Sequence, residues 1–226
     1  KVGKQIAESI YIHENKSMSE AKEEALHMLD LVQIPNAEKR IDQYPFEFSG
    51  GMRQRAMIAI ALACNPKILI ADEPTTALDV TIQAQIIDLI KNLQTEFNAG
   101  VILITHNLGV VASLADKIEV MYSGKILEKG TIDEIFYEHK HPYTYALLKS
   151  IPSFTDNKRE KLYSLEGTPP DLIDPPVGCP FAARCEFGMK ICRKKYPNPT
   201  EFSDSHESYC WLHHPKADTT EVPAQL

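Results

Sequence analysis

The chain has 226 residues, with 24 Lys and Arg against 31 Asp and Glu, so its formal net charge is −7. This acidic balance argues against nucleic acid as the main partner, because a surface that binds phosphate backbones is basic. The apolar runs stop short of membrane-spanning length, and five cysteines suit a reduced chain better than a disulfide framework. Because the first residue is Lys, we expect a processed product or an excised piece.

The N-terminal part reads as helical. Residues 17–34 are amphipathic, with Ser19 as a possible cap and Pro35 as the terminator. The stretch FSGGMRQR, residues 48–55, then leads into an apolar helix over about residues 51–64. Serine caps helix starts, and glycine lets a ligand approach the backbone closely. Since free amides at a helix start attract anions, this turn is a candidate phosphate site.

Two apolar runs read as buried parallel strands with polar ends. KILIADEP, residues 67–74, delivers Asp72 and Glu73, and GVILITHN, residues 100–107, delivers His106. A helical pattern lies between the runs, as in a crossover connection. Neighbouring parallel strands end at the same edge of a sheet, so we expect the three side chains to lie together. The class is therefore α/β.

The sequence after the second strand predicts first a hairpin and then a loop-rich segment. Residues 117–130 alternate and turn at Ser123 and Gly124, which indicates a hairpin. Composition shifts after about Pro152, and residues 168–180 are rich in proline. We therefore expect a loop-rich C-terminal extension.

Each of these motifs is weak when taken alone. An Asp-Glu pair at a strand end is usually a cap or a solvated edge, a lone His is usually a surface residue, and Ser-Gly-Gly is usually a turn. Their order and spacing raise the specificity. FSGGMRQR resembles the signature motif of ATP-binding-cassette (ABC) ATPases, ILIADEP their Walker B strand, TALD their D-loop and ITH their switch histidine.

The resemblance implies a fold. We expect part of an ABC ATPase fold: a helical subdomain and part of a RecA-like parallel sheet, followed by the loop-rich extension. The predicted parts are a helical subdomain over 1–66 that ends in the signature helix, an ATPase core part over 67–150 with Walker B, D-loop and switch histidine, and a cysteine-containing extension over 151–226.

The resemblance also implies roles for the strand-end residues. Asp72 would serve Mg²⁺, Glu73 the attacking water, and His106 the γ-phosphate of ATP. These roles need a carboxylate near the metal and a second group that orients water, which the two strand ends supply.

A second group of residues would act across a dimer. Ser49, Gly50 and Gly51 would contact the γ-phosphate of a nucleotide held by a second ATPase subunit, identical or a sibling. Asp79 would carry communication between the subunits, and its place is on the turn into the following helix.

The sequence departs from the family in one large respect. The phosphate loop G-x-x-x-x-G-K-[ST] occurs nowhere, and residues 1–5 contain Gly-Lys without the upstream glycine or the following hydroxyl. Phe48 and Met52 also stand where the signature usually has Leu and often Gln. The chain thus resembles only the second half of a cassette. We expect ATPase activity from a complete, dimeric subunit and none from this chain alone.

The C-terminal part narrows the family. HPYTYALLKSIP, residues 141–152, and GTPPDLIDPPVGCPFAARC, residues 167–185, resemble the extension of ATPase subunits from dipeptide and oligopeptide importers, including nickel relatives. The resemblance implies membrane-spanning permease subunits as partners, an external peptide-binding protein indirectly, and a place at the cytoplasmic face of the cell membrane. Residues 1–40 would form part of the arm that docks a permease.

Four late cysteines follow a C-x5-C-x6-C-x17-C pattern: Cys179, Cys185, Cys192 and Cys210. This is a poor zinc pattern, because zinc ribbons and fingers pair cysteines as C-x2-4-C. Four thiolates in an irregular loop can hold an iron–sulfur cluster, and some relatives carry a four-iron cluster here. A [4Fe-4S] cluster is the leading interpretation, and zinc or reduced thiols remain open.

Two other classes of function stay open at this stage. The chain could be a non-catalytic module for dimerisation and metal or iron–sulfur binding. It could also be a DNA-repair type of cassette ATPase, against which the acidic charge and the HPYT and PPDL stretches count.

Overall fold

The computed structural model describes residues 1–151, 164–220, 222–223 and 226. It separates into two compact units, unit 1 over Lys1–Leu114 and unit 2 over Ala115–Leu226. Within the described ranges, no helix has the length and apolar character needed to cross a bilayer. The three-part division at residues 66 and 150 stays a prediction, and part of its last boundary region, 152–163, lies outside the described residues.

Unit 1 has helices on a short parallel sheet, which confirms the α/β class. Its elements in chain order are α1 (Val2–His13), α2 (Met18–Leu31), α3 (Ala37–Arg40), a 3-10 turn (Pro45–Glu47), α4 (Gly50–Leu62), β1 (Ile68–Asp72), α5 (Val80–Phe97), β2 (Gly100–Ile104) and α6 (Leu108–Leu114). The predicted helices and strands are all present, with ends shifted by at most three residues.

The start of α2 corrects the predicted cap. Ser17, and not Ser19, is the N-cap: its Oγ accepts from the Glu20 amide at 3.3 Å, while Glu20 Oε2 accepts from the Ser17 amide at 2.7 Å. This reciprocal capping box requires Glu or Gln three residues after the cap. Ser19 has Lys22 at that position, so it cannot form the box.

The core of unit 1 lies between the helices and one face of the sheet. Each helix contributes apolar side chains at helical spacing, and the most deeply buried include Ile6, Ile10, Leu29, Leu62, Ile86 and Ile90. Leu69 of β1 belongs to the same cluster. Burying such side chains contributes about 1.5–3 kcal/mol each. Packing of Leu69 into this cluster therefore holds β1 against the helices.

Strands β1 and β2 form a two-stranded parallel sheet in which Ile68 pairs with Gly100 and Asp72 with Ile104. Side chains alternate between the two faces, so Leu69 and Ala71 are buried. The other face carries Ile68, Ile70, Ile102 and Ile104, which are about half or more exposed. An apolar sheet face of this kind is a docking surface for further chain or a site of self-association.

Unit 2 combines a β-hairpin and short helices, which lie in the range predicted as part of the ATPase core, with the loop-rich segment that follows. Its elements are β3 (Lys117–Tyr122), β4 (Lys125–Thr131), α7 (Ile132–Tyr137), α8 (Pro142–Lys149), a 3-10 turn (Lys190–Arg193), β5 (Thr200–Glu201), β6 (Glu207–Ser208) and a 3-10 turn (Trp211–His213). The order β3-β4-β6-β5 joins the extension to the hairpin in one antiparallel sheet.

The hairpin turn follows the predicted chemistry. Ser123 and Gly124 have φ values of 47° and 75°, and such positive values at both central residues match the twist of two-residue hairpins. The extension then packs on the hairpin through Phe181, which lies against Tyr122 with the ring centroids 5.5 Å apart. Arg184 also links the extension to the hairpin, by a hydrogen bond that it donates to the Tyr122 hydroxyl at 3.1 Å.

Two carboxylates in unit 2 accept hydrogen bonds that hold its C-terminal segment in place. Glu128 of β4 is fully buried and accepts from the amides of Lys140 and His141 and from the His206 ring at 2.9 Å. Glu134 of α7 accepts from the hydroxyls of Ser203 and Ser205 and from the Thr131 amide. Buried and charge-assisted bonds of this kind are costly to leave unmade.

The Glu134 contacts predict an acid-sensitive step in the stability of unit 2. Hydrogen bonds from Ser203 and Thr131 lower the pKa of Glu134 from 4.5 to about 2. Its contribution to the free energy of unfolding is therefore complete above about pH 4.5 and is lost as the pH falls through 2. In unfolding curves recorded by circular dichroism from pH 7 to 2, Glu134→Gln should flatten this decline. Glu138→Gln, at an exposed position nearby, is the control, and parallel curves for Glu134→Gln and wild type would contradict the assignment.

Candidate nucleotide site and cysteine cavity

The structure brings Glu73 and His106 together at the sheet edge. The ladder extends one residue past β1, because the Glu73 amide donates to the Ile104 carbonyl at 2.9 Å. His106 follows β2 by two residues, and its Nδ1 lies 2.7 Å from Glu73 Oε1. The parallel register thus puts a carboxylate and an imidazole in direct hydrogen-bond contact, as the sequence predicted.

Glu73 is held in a constrained position. Its φ is +48°, in the left-handed region that a residue with a side chain rarely adopts, and such strain clusters at functional sites. The Thr76 hydroxyl donates to Oε2 at 2.6 Å, while His106 contacts Oε1. The Thr76 bond first, and then the His106 bond, lower the pKa of Glu73. The group is therefore an ionised acceptor at neutral pH, able to orient water.

His106 and Asp72 remain open to a ligand. The His106 side chain is 82% exposed although one ring nitrogen contacts Glu73. Asp72 ends β1 directly before Glu73 and is also exposed. Mg²⁺ is usually held by one or two carboxylates together with substrate phosphates and water. A single accessible Asp beside the carboxylate–imidazole pair fits that requirement without a preformed cage.

The signature turn packs against the start of α5. Ser49 is the N-cap of α4, and its Oγ accepts from the Met52 amide at 3.3 Å. A Cβ on Gly51 would lie 2.7 Å from Ile82 Cγ2, so only glycine permits this contact, whereas Gly50 has ordinary space beside Leu78. The close packing against Ile82 is therefore a structural reason for glycine at position 51, besides the predicted contact with phosphate.

Asp79 is the N-cap of α5, and its Oδ1 accepts from the Ile82 amide at 2.9 Å. Ser49 and Asp79 therefore both stand at helix starts that contact each other through Gly51 and Ile82. The predicted site residues of unit 1 accordingly fall into two groups, the strand-end group and this pair of helix starts.

The four late cysteines surround one cavity in unit 2. The cavity is lined almost wholly by apolar surface, and Phe181, Tyr209 and Trp211 contribute to its wall. Its lining includes all of Cys179, Cys185, Cys192 and Cys210. A short backbone bond from the Cys179 amide to the Cys192 carbonyl, at 2.7 Å, joins two of the loops. The four cysteines, although irregularly spaced in the sequence, therefore line one cavity in the fold.

The four thiols are the donor set that the cavity offers. Among the described residues, no group of three or more His, Cys, Asp or Glu side chains is arranged to hold a metal ion. Burial raises the pKa of Cys179 to about 11 and that of Cys185 to about 12, and it raises the pKa of Cys210 as well. Four cysteine sulfurs are the donor type that iron–sulfur clusters use.

The sequence analysis missed two side chains at these sites. Thr76 holds Glu73, and a hydroxyl three residues after a strand-end acid is the local signal that could have indicated it. His141 lines the cysteine cavity from the start of α8. No spacing rule links it to cysteines 38 to 69 residues away in the sequence.

Two family models match the chain. Residues 3–76 match the ABC transporter model, and residues 127–192 match the oligopeptide/dipeptide transporter C-terminal region. The first match contains the signature turn and β1, and the second contains α8 and three of the four late cysteines. The signature motif and the Walker B strand lie within the matched ranges, whereas Asp79, His106 and Cys210 lie outside them.

Relatives and solved structures agree with these models. The chain is 55% identical over 99% of its length to the oligopeptide transport ATP-binding protein OppD of Bacillus subtilis, and 52% identical over its whole length to AmiE of Streptococcus pneumoniae. It spans 62% and 63% of those proteins. A dimeric post-hydrolysis state of the ATP-binding cassette MJ0796 with ADP and Pi superposes with a TM-score of 0.51 at 28% identity, covering 58% of this chain and 56% of that one.

The two family matches fall in different units of the chain. The strand-end pair and the signature turn lie in unit 1, and the cysteine loops lie in unit 2, so each unit carries its own family signal. Both signals therefore stand in one chain: residues 3–76 are similar to the ABC transporter family, and residues 127–192 are similar to the C-terminal region of oligopeptide/dipeptide transporters.

Proposed function

We propose that this chain is part of the ATP-binding subunit of an ABC importer of peptides. The observation that carries the proposal is the Glu73–His106 contact of 2.7 Å at the end of two parallel strands. The names of the relatives, which are oligopeptide and dipeptide transport ATP-binding proteins, supply the substrate class.

In the proposed reaction, Glu73 orients the water that attacks the γ-phosphate of ATP. Its ionised carboxylate can accept a proton or a hydrogen bond from that water, and Thr76 and His106 hold the carboxylate in place. Asp72 would hold Mg²⁺, which neutralises charge on the phosphates when bound. His106 would contact the γ-phosphate, for which its exposure of 82% leaves room.

The second group of residues would act on another subunit's nucleotide. Ser49, Gly50 and Gly51 begin α4, where free backbone amides favour an anion. Asp79 stands at the adjacent helix start and would relay between the subunits. Because the chain contains no phosphate loop, we propose that it needs one from elsewhere to hydrolyse ATP.

The proposed partners follow from the same assignment. They are a second ATPase subunit, identical or a sibling, and membrane-spanning permease subunits, with an external peptide-binding protein acting indirectly. The chain would work at the cytoplasmic face of the cell membrane. The exposed isoleucines on the sheet face support a further covering segment, since such a face is rarely left in water.

We also propose that the cysteine cavity holds a [4Fe-4S] cluster. Cys179, Cys185, Cys192 and Cys210 supply the four thiolates such a cluster requires. Burial raises the pKa of Cys179 and Cys185, so a bound cation would be what stabilises their thiolates.

The catalytic assignment predicts the behaviour of Glu73→Gln in a complete subunit that carries this segment. Turnover of ATP should fall at least about 10²-fold, because the amide cannot take up a proton. Nucleotide-driven pairing of subunits, measured by sedimentation, should persist. Glu96→Gln, at an exposed position on α5, is the matched control. Wild-type turnover in Glu73→Gln would remove Glu73 from the catalytic role.

The cluster assignment predicts the metal content of the chain when it is purified without oxygen. We expect about four irons and about four acid-labile sulfides per chain. Cys185→Ser should lower both, whereas Cys64→Ser should not, because Cys64 lies in unit 1 and its Sγ contacts the Ser9 carbonyl. Stoichiometric zinc, or metal-free protein with reactive thiols, would contradict the cluster.

A further inference from the structure

His141 stands at the cysteine cavity with its proton position fixed. The ring is 1% exposed and lines the same cavity as the four cysteines. Its Nδ1 accepts from the Tyr143 amide at 3.0 Å. Because a backbone amide can only donate, Nδ1 carries no proton in this bond, and the neutral ring holds its proton on Nε2.

The Nε2–H donor lacks an acceptor. Among the described residues, Nε2 of His141 is buried without a hydrogen-bond partner. Burial lowers the pKa of His141, and the Tyr209 backbone opposes that shift, but Nε2 makes no well-formed hydrogen bond. Buried donors are almost always satisfied in folded proteins. An unsatisfied donor at the wall of a cavity therefore points to an acceptor supplied by whatever occupies that cavity.

We propose that His141 donates a hydrogen bond from Nε2–H to a sulfur atom of the group bound by Cys179, Cys185, Cys192 and Cys210. This inference rests on the proposed iron–sulfur cluster. His141 is a positioning and tuning residue and not an iron ligand, because Nδ1 accepts from the Tyr143 amide and Nε2 bears the proton. Hydrogen bonds to cluster sulfurs stabilise the more electron-rich reduced state and raise the reduction potential.

Two substitutions separate this role from the part that His141 plays in starting α8. His141 is also the N-cap, through its Nδ1. His141→Asn keeps an acceptor close to the position of Nδ1 but removes the distal donor. His141→Gln does the reverse, since its amide N–H reaches the region of Nε2. His214→Asn is the matched control, because the Nδ1 of exposed His214 accepts from the Lys216 amide in the same way, at 3.2 Å.

The experiment measures the midpoint potential of the 226-residue chain, reconstituted without oxygen from ferrous iron and sulfide. We expect a more negative potential, or loss of the cluster from folded protein, in His141→Asn, and a potential closer to wild type in His141→Gln. His214→Asn should match wild type. Full iron content with an unchanged potential in His141→Asn would overturn the proposal.

A second measurement does not depend on how the variants fold. Pulsed electron paramagnetic resonance of the reduced wild-type chain, labelled with ¹⁵N-histidine, should detect a weakly coupled imidazole nitrogen at the cluster. Absence of that coupling in a chain with full iron and sulfide would overturn the role of His141 while leaving the cluster in place. A wild-type chain that takes up neither iron nor sulfide would instead remove the cluster, and this inference with it.

Discussion

The parallel pairing of β1 with β2 is the constraint on which the nucleotide site depends. The register that places Asp72 opposite Ile104, extended by the Glu73 amide, brings the turn after each strand to one edge. Glu73 then contacts His106, although the two residues are 33 positions apart in the sequence. A shift of one residue in either strand would send these side chains to the opposite face.

The two faces of this sheet have different consequences. Leu69 and Ala71 pack toward the helices, and this packing holds the strand ends in place. The opposite face exposes isoleucines, among them Ile70, which is 65% exposed. A pair of strands alone is marginally stable in water. The helices therefore provide the stability of unit 1, and the open apolar face is free for another element to pack against.

In unit 2, the extension is fastened by buried polar groups as well as by apolar packing. Glu128 joins β4 to the start of α8 and to His206, and the aromatic cluster around Phe181 closes the wall of the cysteine cavity. The cavity is therefore part of the folded unit and not a property of a loose loop. Any group bound by the cysteines would meet a wall fixed by the hairpin.

The sequence was informative where local pattern decides structure. The presence of β1 and β2, the helix between them and the Ser49 cap follow from apolar runs, helical periodicity and end signals, and the structure confirms them. The prediction that both strands are buried was wrong for one face of the sheet, because that face is exposed in the structure. The choice between Ser17 and Ser19 was wrong because it ignored the glutamate required three residues later. The two short strands β5 and β6 and the position of His141 depend on contacts between distant segments, which spacing does not encode. The bond from Thr76 to Glu73 is local, and its signal was overlooked.

The most direct test of the account is a calorimetric titration of Mg-ATP into the 226-residue chain. The strand-end pair and the signature turn can act on a phosphate, but the chain has no phosphate loop to hold one. The account predicts that the chain binds Mg-ATP weakly or not at all, with no saturation in the micromolar range. A micromolar dissociation constant would contradict it, because the residues described would then hold the nucleotide by themselves.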